Sequence, residues 1–238
     1  MYWSDYLWFL AAILVCMGFS LYASAKVRTT FAKYSGARCR CDTANRLLQA
    51  NHVTGISVGR IKGSLTDHYN PSKGEVNLSD ATYGQSSIAS VAVAAHELGH
   101  VMQKEEGYTP YRIRTALVPV VNFGSFLAMP LVLLGLLIDL FVSVTGPDVG
   151  FWIAMVGVIF YGGTFLFALV TLPVELDASR RAGKMLASEG ILSEDELPGA
   201  KAVLSAAAMT YLASMLTSLV YFLRFLVYVL TVFGKRRK

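Results

Sequence analysis

The sequence predicts a mainly α-helical, multi-pass membrane protein with a polar lobe that contains a small antiparallel β-sheet. Hydrophobic residues make up 54% of the chain and charged residues only 16%, whereas soluble domains are usually about 25% charged. In addition, one polar stretch shows the polar–apolar alternation of short strands. Four long segments contain no Asp, Glu, Lys, Arg or His: Tyr6–Ala25, Leu117–Ile138, Val149–Val174 and Val203–Leu223.

Each uncharged segment reaches the length of about 20 residues that crosses a bilayer as a helix. Such a segment must be helical, because lipid offers no hydrogen-bond partners to the backbone. The first is interpreted as a retained anchor and not a signal peptide, since Asp5 precedes it and no Lys or Arg does. The last carries Arg224 just after its end, so a full crossing, a re-entrant path and a path along the membrane interface all stay open.

Charge indicates the orientation. Residues 26–115 hold twelve Lys or Arg against seven Asp or Glu, and a basic excess marks the cytoplasmic side. Because the net charge of +5 is explained by this distribution, no nucleic-acid partner is expected. The predicted parts are an N-terminal transmembrane anchor (1–25), a cytosolic lobe (26–115), two transmembrane helices (116–174), a cytosolic helix (175–202), and a C-terminal transmembrane or re-entrant helix with a basic tail (203–238).

The lobe is expected to contain two helices and three strands. A turn around Pro71 and Gly74 separates the second and third strands, since proline presets φ and glycine tolerates positive φ. In chain order the elements are a helix capped by Asp42 that ends near Asn51, strands at Val53–Val58, Leu65–Tyr69 and Glu75–Leu78, and a helix from about Ser86 to Glu105.

The second of these helices carries a metal-binding pattern. Residues Ile88–Ala95 are almost wholly apolar or small, yet His96, Glu97 and His100 follow directly. Histidines four residues apart share one helix face and can bind a single ion. Zinc favours such ligands, and an adjacent carboxylate can accept a proton from the attacking water. The pattern predicts that His96 and His100 bind Zn²⁺ and that Glu97 is the catalytic base.

A catalytic zinc normally has three protein ligands, and position 103 is Gln, so no third histidine follows closely. Glu175 is favoured because it emerges directly after an uncharged segment, on the side of the membrane where His96 is expected. It can equally be a solvated acid at the start of a helix. The other candidates are His52, His68, Asp67, Cys39 and Cys41.

Four segments together resemble the YugP-type membrane zinc metallopeptidases of bacteria: Asp67–Pro71, Val76–Ser79, Ala95–His100 and Pro173–Ser179. The resemblance implies a gluzincin-like, zincin-like lobe in the bacterial inner membrane, with zinc bound by His96, His100 and Glu175. Two positions depart from the pattern. Asn70 stands where that family usually has Asp. Ser179 stands where related Ste24- and HtpX-like peptidases often have an acid four positions after the ligand glutamate. Asp177, two positions after Glu175, does not share its helix face and is expected to pair with Arg180 or Arg181 instead of orienting a ligand.

The expected activity is a zinc-dependent endopeptidase that acts at the cytoplasmic membrane surface. Protein or peptide substrates, including segments of membrane proteins, are the expected partners besides the lipid bilayer; regulatory and oligomeric partners stay open. The strand containing Val76, Asn77 and Leu78 is proposed to bind an extended substrate by edge addition.

Two other functions compete with the peptidase. In a zinc-stabilised, non-proteolytic scaffold that recruits protein partners, Glu97 would have no use beside the first ligand. A metal-ion transporter requires ionisable residues within the membrane spans, and Asp139 and Arg224 make a poor pathway. The sequence therefore favours the peptidase.

Overall fold

The computed structural model describes residues 3–37, 44–51, 53–141 and 149–236. These residues are mainly α-helical, which confirms the predicted fold class. The predicted helix cap Asp42 and the ligand candidates Cys39, Cys41 and His52 lie outside the described residues. The elements are α1 (Trp3–Ser35), α2 (Ala44–Ala50), β1 (Ser57–Ile61), β2 (His68–Asn70), β3 (Glu75–Ser79), α3 (Ile88–Glu105), α4 (Thr109–Phe141), α5 (Val149–Ser188) and α6 (Leu197–Arg236).

Four helices of the described chain, α1, α4, α5 and α6, are long and apolar enough to cross a membrane. Their apolar side chains point largely outward: Trp8 is 78% exposed, and Phe126 on α4 is 77% exposed. Contiguous apolar surface of this kind is rare on soluble proteins and matches contact with lipid. The prediction of several apolar membrane helices is confirmed at this level.

Helix α6 is one uninterrupted helix of 40 residues. At a rise of about 1.5 Å per residue it extends about 60 Å, twice the thickness of a bilayer core of about 30 Å. A re-entrant segment requires a chain reversal, and α6 contains none between Leu197 and Arg236. The continuous helix contains no chain reversal, and the crossing of the membrane by this segment stays a prediction.

The chain forms two compact units, each built from segments that are distant in sequence. Unit 1 comprises Met1–Ser20, Ile113–Thr171 and Leu212–Lys238, and unit 2 comprises Leu21–Arg112 and Leu172–Tyr211. In unit 1, α4 and α5 meet closely. A Cβ added at Gly135 would lie 2.4 Å from the Gly150 carbonyl oxygen, and one at Gly157 would lie 2.6 Å from that of Ala128. Small residues allow such close packing between membrane helices.

Unit 2 contains the sheet, whose strand order is β1–β3–β2. Strand β2 pairs with β3 in antiparallel fashion, but β1 pairs with β3 in parallel. The sheet is therefore mixed and differs from the antiparallel sheet expected from the sequence. The alternation of β3 does place Val76 and Leu78 in the core. Alternation specifies which side chains face inward, but it does not specify the order of the strands.

Helix α3 begins at Ile88, close to the predicted start. Its N-terminus has a reciprocal cap: Ser90 N–H donates to Ser87 Oγ at 3.1 Å, and Ser87 N–H donates to Ser90 Oγ at 3.0 Å. Such a cap satisfies two backbone donors that have no partner inside the helix. The helix is buried along most of its length, and Val91 and Leu98 join Leu186 of α5 in the core of unit 2.

The backbones of α3 and α5 touch at Gly99. A Cβ at this position would lie 2.5 Å from the Ala178 carbonyl oxygen and 3.0 Å from its Cα. Both obstacles are backbone atoms, which cannot rotate away as a flexible side chain can. Gly99 is therefore required for the close approach of the two helices, and this approach brings residues of the two helices into one cluster.

We predict that Gly99→Ala destabilises unit 2, because the added methyl group forces α3 and α5 apart. The cost expected for overpacking is about 1–3 kcal/mol. The matched control is Gly183→Ala on α5, where an added Cβ meets nothing within 4 Å; it should be neutral or stabilising by up to about 1 kcal/mol. Thermal unfolding in detergent, followed by circular dichroism, measures both. Equal melting temperatures for the two variants would contradict the prediction.

Candidate metal centre

Helices α3 and α5 bring three predicted ligands together. His96 and His100 lie one turn apart on α3, and Glu175 lies on α5. The Glu175 Oε2 atom is 3.1 Å from His96 Nε2 and 3.4 Å from His100 Nε2. One ligand atom from each residue lies within 4.8 Å of the other two. The three side chains are thus arranged so that each can direct one donor atom to a common point.

The donor set and its spacing fit zinc. Two imidazoles and one carboxylate form a ligand set typical of catalytic zinc. Donor atoms held at about 2.0–2.1 Å in tetrahedral geometry are about 3.3 Å apart, and the two distances from Glu175 Oε2, 3.1 and 3.4 Å, are close to this value. Only three protein donors converge in the described residues, which is the number found in catalytic sites that keep a position for water.

The second ring nitrogen of each histidine also has a partner. His96 Nδ1 lies 3.2 Å from Ser179 Oγ, and His100 Nδ1 lies 3.0 Å from Gln103 Oε1. An Nδ1–H group that donates to such an oxygen leaves Nε2 with a free electron pair for a metal. Ser179 thus contacts a candidate ligand, although the sequence left its role undecided. Gln103 stood out in the sequence only because it is not a histidine.

Asp177 pairs with arginines, as the sequence suggested. Its carboxylate accepts hydrogen bonds from Arg180 and, at 2.5 Å, from Arg181 Nε. It also accepts one at 3.0 Å from Gln103 Nε2. Arg180 and Arg181 are candidate oxyanion-stabilising residues by their charge, but both are engaged in ion pairs with Asp177. Asp177 therefore lies behind the cluster of ligands and contacts it through Gln103.

Glu97 is 7% exposed and follows the first histidine of the cluster. Burial raises the pKa of Glu97 to about 7, because a charged carboxylate is disfavoured away from water; the charge of His96 acts in the opposite direction and that of Glu175 in the same direction. A carboxyl group with a pKa near neutrality can both accept and return a proton at physiological pH. The environment of Glu97 is thus suited to general acid–base chemistry.

The two other described ligand candidates do not join the cluster. Asp67 instead accepts hydrogen bonds from Ser79, from N–H at 2.7 Å and from Oγ at 2.9 Å. His68 is exposed, and its Nδ1 lies 3.0 Å from the Thr66 carbonyl oxygen. Both residues are nevertheless close enough for their charges to act on the pKa of Glu97.

The edge-strand hypothesis for Val76, Asn77 and Leu78 is wrong for β3. This strand is the middle strand of the sheet, with β1 on one side along its whole length and β2 on the other side from Glu75 to Asn77. From Glu75 to Asn77 it therefore has a neighbouring strand on both sides, and only its last two residues have one on a single side. Val76 and Leu78 are buried in the core. The sequence placed the strand correctly, but the strand order decides which edges are free.

The chain resembles known proteins over most of its length. The family described as "Putative neutral zinc metallopeptidase" matches residues 8–230. The "Putative membrane protease YugP" of Bacillus subtilis is 38% identical to the chain over 222 residues, which cover 91% of this chain and 94% of that relative. No solved structure is significantly similar to the chain.

We predict that Glu175→Gln lowers zinc affinity on the order of 100-fold or more, since a neutral amide is a poor zinc ligand beside two imidazoles. The matched control is Glu194→Gln, a change of the same type at an exposed position. Zinc content after dialysis, measured by elemental analysis, and competition with a chromogenic chelator compare the two variants. Retention of zinc by Glu175→Gln at the level of the control would remove Glu175 from the site.

Proposed function

Because this chain belongs to the neutral zinc metallopeptidase family, we propose that it is a membrane-embedded, zinc-dependent endopeptidase that cleaves peptide bonds at the cytoplasmic membrane surface. The observation that carries the proposal is the convergence of His96 Nε2, His100 Nε2 and Glu175 Oε2 next to the buried carboxyl group of Glu97. A purely structural zinc site would gain nothing from a fourth polar group with a raised pKa.

His96, His100 and Glu175 are proposed to hold the ion. When bound there, zinc acts as a Lewis acid that lowers the pKa of water to about 7 and polarises the substrate carbonyl. Glu97 accepts a proton from the attacking water and then returns it to the nitrogen of the departing amine. Burial supports both steps, since it raises the pKa of Glu97 from its ordinary value and keeps bulk water from competing for the proton.

The position of Glu175 directly after a predicted membrane span supports substrates that lie close to the bilayer. Glu175 directly follows the uncharged segment Val149–Val174, and α5 continues through it without a break until Ser188. The candidate ligand therefore belongs to the same continuous helix as the uncharged segment. The basic excess of residues 26–115 supports a cytoplasmic location. Juxtamembrane or unfolded segments of membrane proteins are the proposed substrates.

The free edge of β2 is the proposed binding strand for the substrate. Strand β2 pairs with β3 on one side, and no strand of the described chain pairs with its other side. It lies against α3: Lys104 Nζ lies 5.8 Å from the centre of the Tyr69 ring and donates to the Pro71 carbonyl oxygen at 2.9 Å. His68 at the start of β2 is near enough to influence Glu97. An extended peptide added to this edge would therefore lie near α3, the helix that carries Glu97.

The departure at Asn70 is compatible with this arrangement. Asn70 ends β2, and its Oδ1 accepts hydrogen bonds from Ser72 N–H at 3.1 Å and Lys73 N–H at 3.3 Å. Only the side-chain oxygen is used, so Asn performs the same turn-forming task as Asp. The difference from the family pattern therefore affects neither the β2–β3 turn nor the proposed chemistry.

We predict that Glu97→Gln abolishes proteolysis while zinc binding persists, because the amide fills the same space and cannot accept a proton. The expected loss of casein cleavage is about 10²–10⁴-fold. Glu105→Gln, an exposed change on the same helix, serves as the control and should retain wild-type activity. Zinc in all three proteins with cleavage lost in Glu97→Gln alone supports the mechanism. Equal cleavage by wild type and Glu97→Gln would contradict it.

The edge-strand proposal predicts that backbone N-methylation of a peptide substrate weakens its binding. A methyl group replaces an amide hydrogen that would pair with β2 and also obstructs the approach of the strand. We expect KM to rise about 5-fold or more for methyl groups at alternate amides near the scissile bond, at a cost of about 1 kcal/mol for each lost hydrogen bond. Methylation at the intervening amides, which point away from β2, is the internal control. A uniform response along the peptide would contradict edge pairing.

A further inference from the structure

Gln103 is a fully buried polar residue directly behind the candidate metal centre. It lies on α3 three residues after His100, and its relative exposure is 0%. Its side chain makes three hydrogen bonds: Nε2 donates to the Val174 carbonyl oxygen at 2.8 Å and to Asp177 Oδ2 at 3.0 Å, and Oε1 lies 3.0 Å from His100 Nδ1. A buried amide is costly unless such partners are present, and here each of its polar atoms has one.

The contacts determine which way the amide faces. Both partners of Nε2 are acceptors, a carbonyl oxygen and a carboxylate oxygen, so only the NH₂ group of Gln103 can meet them. The Oε1 atom is then directed at His100 and must accept, which requires a hydrogen on His100 Nδ1. In the neutral ring, Nε2 of His100 then carries the free electron pair, and it lies 3.4 Å from Glu175 Oε2. The amide thus selects the tautomer that can bind a metal.

Asp177, one of the two acceptors of the Gln103 amide, belongs to an ion-pair network. Asp177 is 5% exposed and accepts from Arg180 and Arg181 in addition to Gln103. Arg181 also donates to Glu106 at 2.6 Å. Glu106 immediately follows α3, whereas Asp177 and the arginines belong to α5. The network therefore joins the end of the helix that carries both histidines to the helix that carries Glu175.

We propose that Gln103 is a positioning residue that holds His100 in its metal-binding tautomer and, through Asp177 and Arg181, sets the orientation of His100 relative to Glu175. The inference rests on the proposed zinc site and deepens it. His96 has a simpler support, the single hydroxyl of Ser179 at 3.2 Å. The two histidines are thus held unequally, and the three-way hydrogen bonding of Gln103 makes His100 the more strongly oriented ligand.

The test measures zinc affinity by competition with a chelator in purified, detergent-solubilised protein. Gln103→Ala should weaken zinc binding about 10–100-fold, the usual effect of losing a group that orients a ligand. Gln103→Glu should also weaken it, because a carboxylate cannot donate to the Val174 carbonyl oxygen and is repelled by Asp177. The control is Gln49→Ala on α2, where the glutamine is exposed.

A double variant tests the coupling between the two side chains. In Gln103→Glu combined with Asp177→Asn, the amide and the carboxylate exchange places. The new amide at position 177 can then donate a hydrogen bond to the new carboxylate at position 103, which removes the repulsion, so zinc affinity should partly return.

The visible absorption spectrum of the cobalt-substituted protein provides an independent readout. The spectrum should change in Gln103→Ala, since it reports ligand geometry, and should move back towards wild type in the double variant. Thermal unfolding before metal addition verifies that each variant is folded.

The outcomes separate this inference from the proposed function. Wild-type affinity and an unchanged cobalt spectrum in folded Gln103→Ala would overturn the role of Gln103, with the zinc site intact. Additive losses in the double variant, with no recovery, would overturn the coupling through Asp177. Absence of zinc binding by the wild type would instead overturn the proposed function on which the inference rests.

Discussion

The backbone contact between Gly99 and Ala178 is the constraint on which the candidate site depends. It allows α3 and α5 to approach more closely than side chains at this position would permit. His96 and His100 flank Gly99 on α3, and Glu175 lies almost one turn before Ala178 on α5. The short distances between the three candidate ligands therefore follow from a contact that contains no ligand atom. Both the close packing of the helices and the spacing of the candidate ligands follow from the absence of a side chain at Gly99.

The packing of the two helices also buries polar groups. The two helices share a core with apolar residues such as Leu98 and Leu186, and Gln103 and Glu175 lie within 1% of complete burial. Buried polar groups must be satisfied within the protein. Ser179 contacts His96, and Gln103 contacts both His100 and Asp177, so the groups that satisfy the ligands also orient them. The same hydrogen bonds thus satisfy the buried polar groups and orient the candidate metal ligands.

Several features could be predicted from particular residues because they depend on local chemistry. The apolar run before His96 predicted α3, and the spacing of His96 and His100 placed both imidazoles on one face. The segment ending at Val174 predicted that Glu175 emerges from a membrane helix, and resemblance to a family strengthened its assignment. The strand order could not be predicted from the sequence, because alternation within β3 does not reveal that β1 and β2 lie on its two sides. For this reason the sequence led to the prediction that β3, and not β2, is the edge strand that binds the substrate.

The sequence by itself determined the four apolar helices, the buried helix α3 with its histidine pattern, and the position of β3, because hydrophobic periodicity and the absence of charge act within single segments. The first two strands were predicted at Val53–Val58 and Leu65–Tyr69, but the structure has them at Ser57–Ile61 and His68–Asn70. The tertiary structure alone decided the distance from Glu175 to the histidines, the mixed pairing of the sheet and the partners of Gln103. Residues 103 and 174–177 are about 70 positions apart, and their hydrogen bonds exist only once α3 and α5 have packed together. Contacts between distant segments depend on the shape of the whole core, which no local pattern encodes.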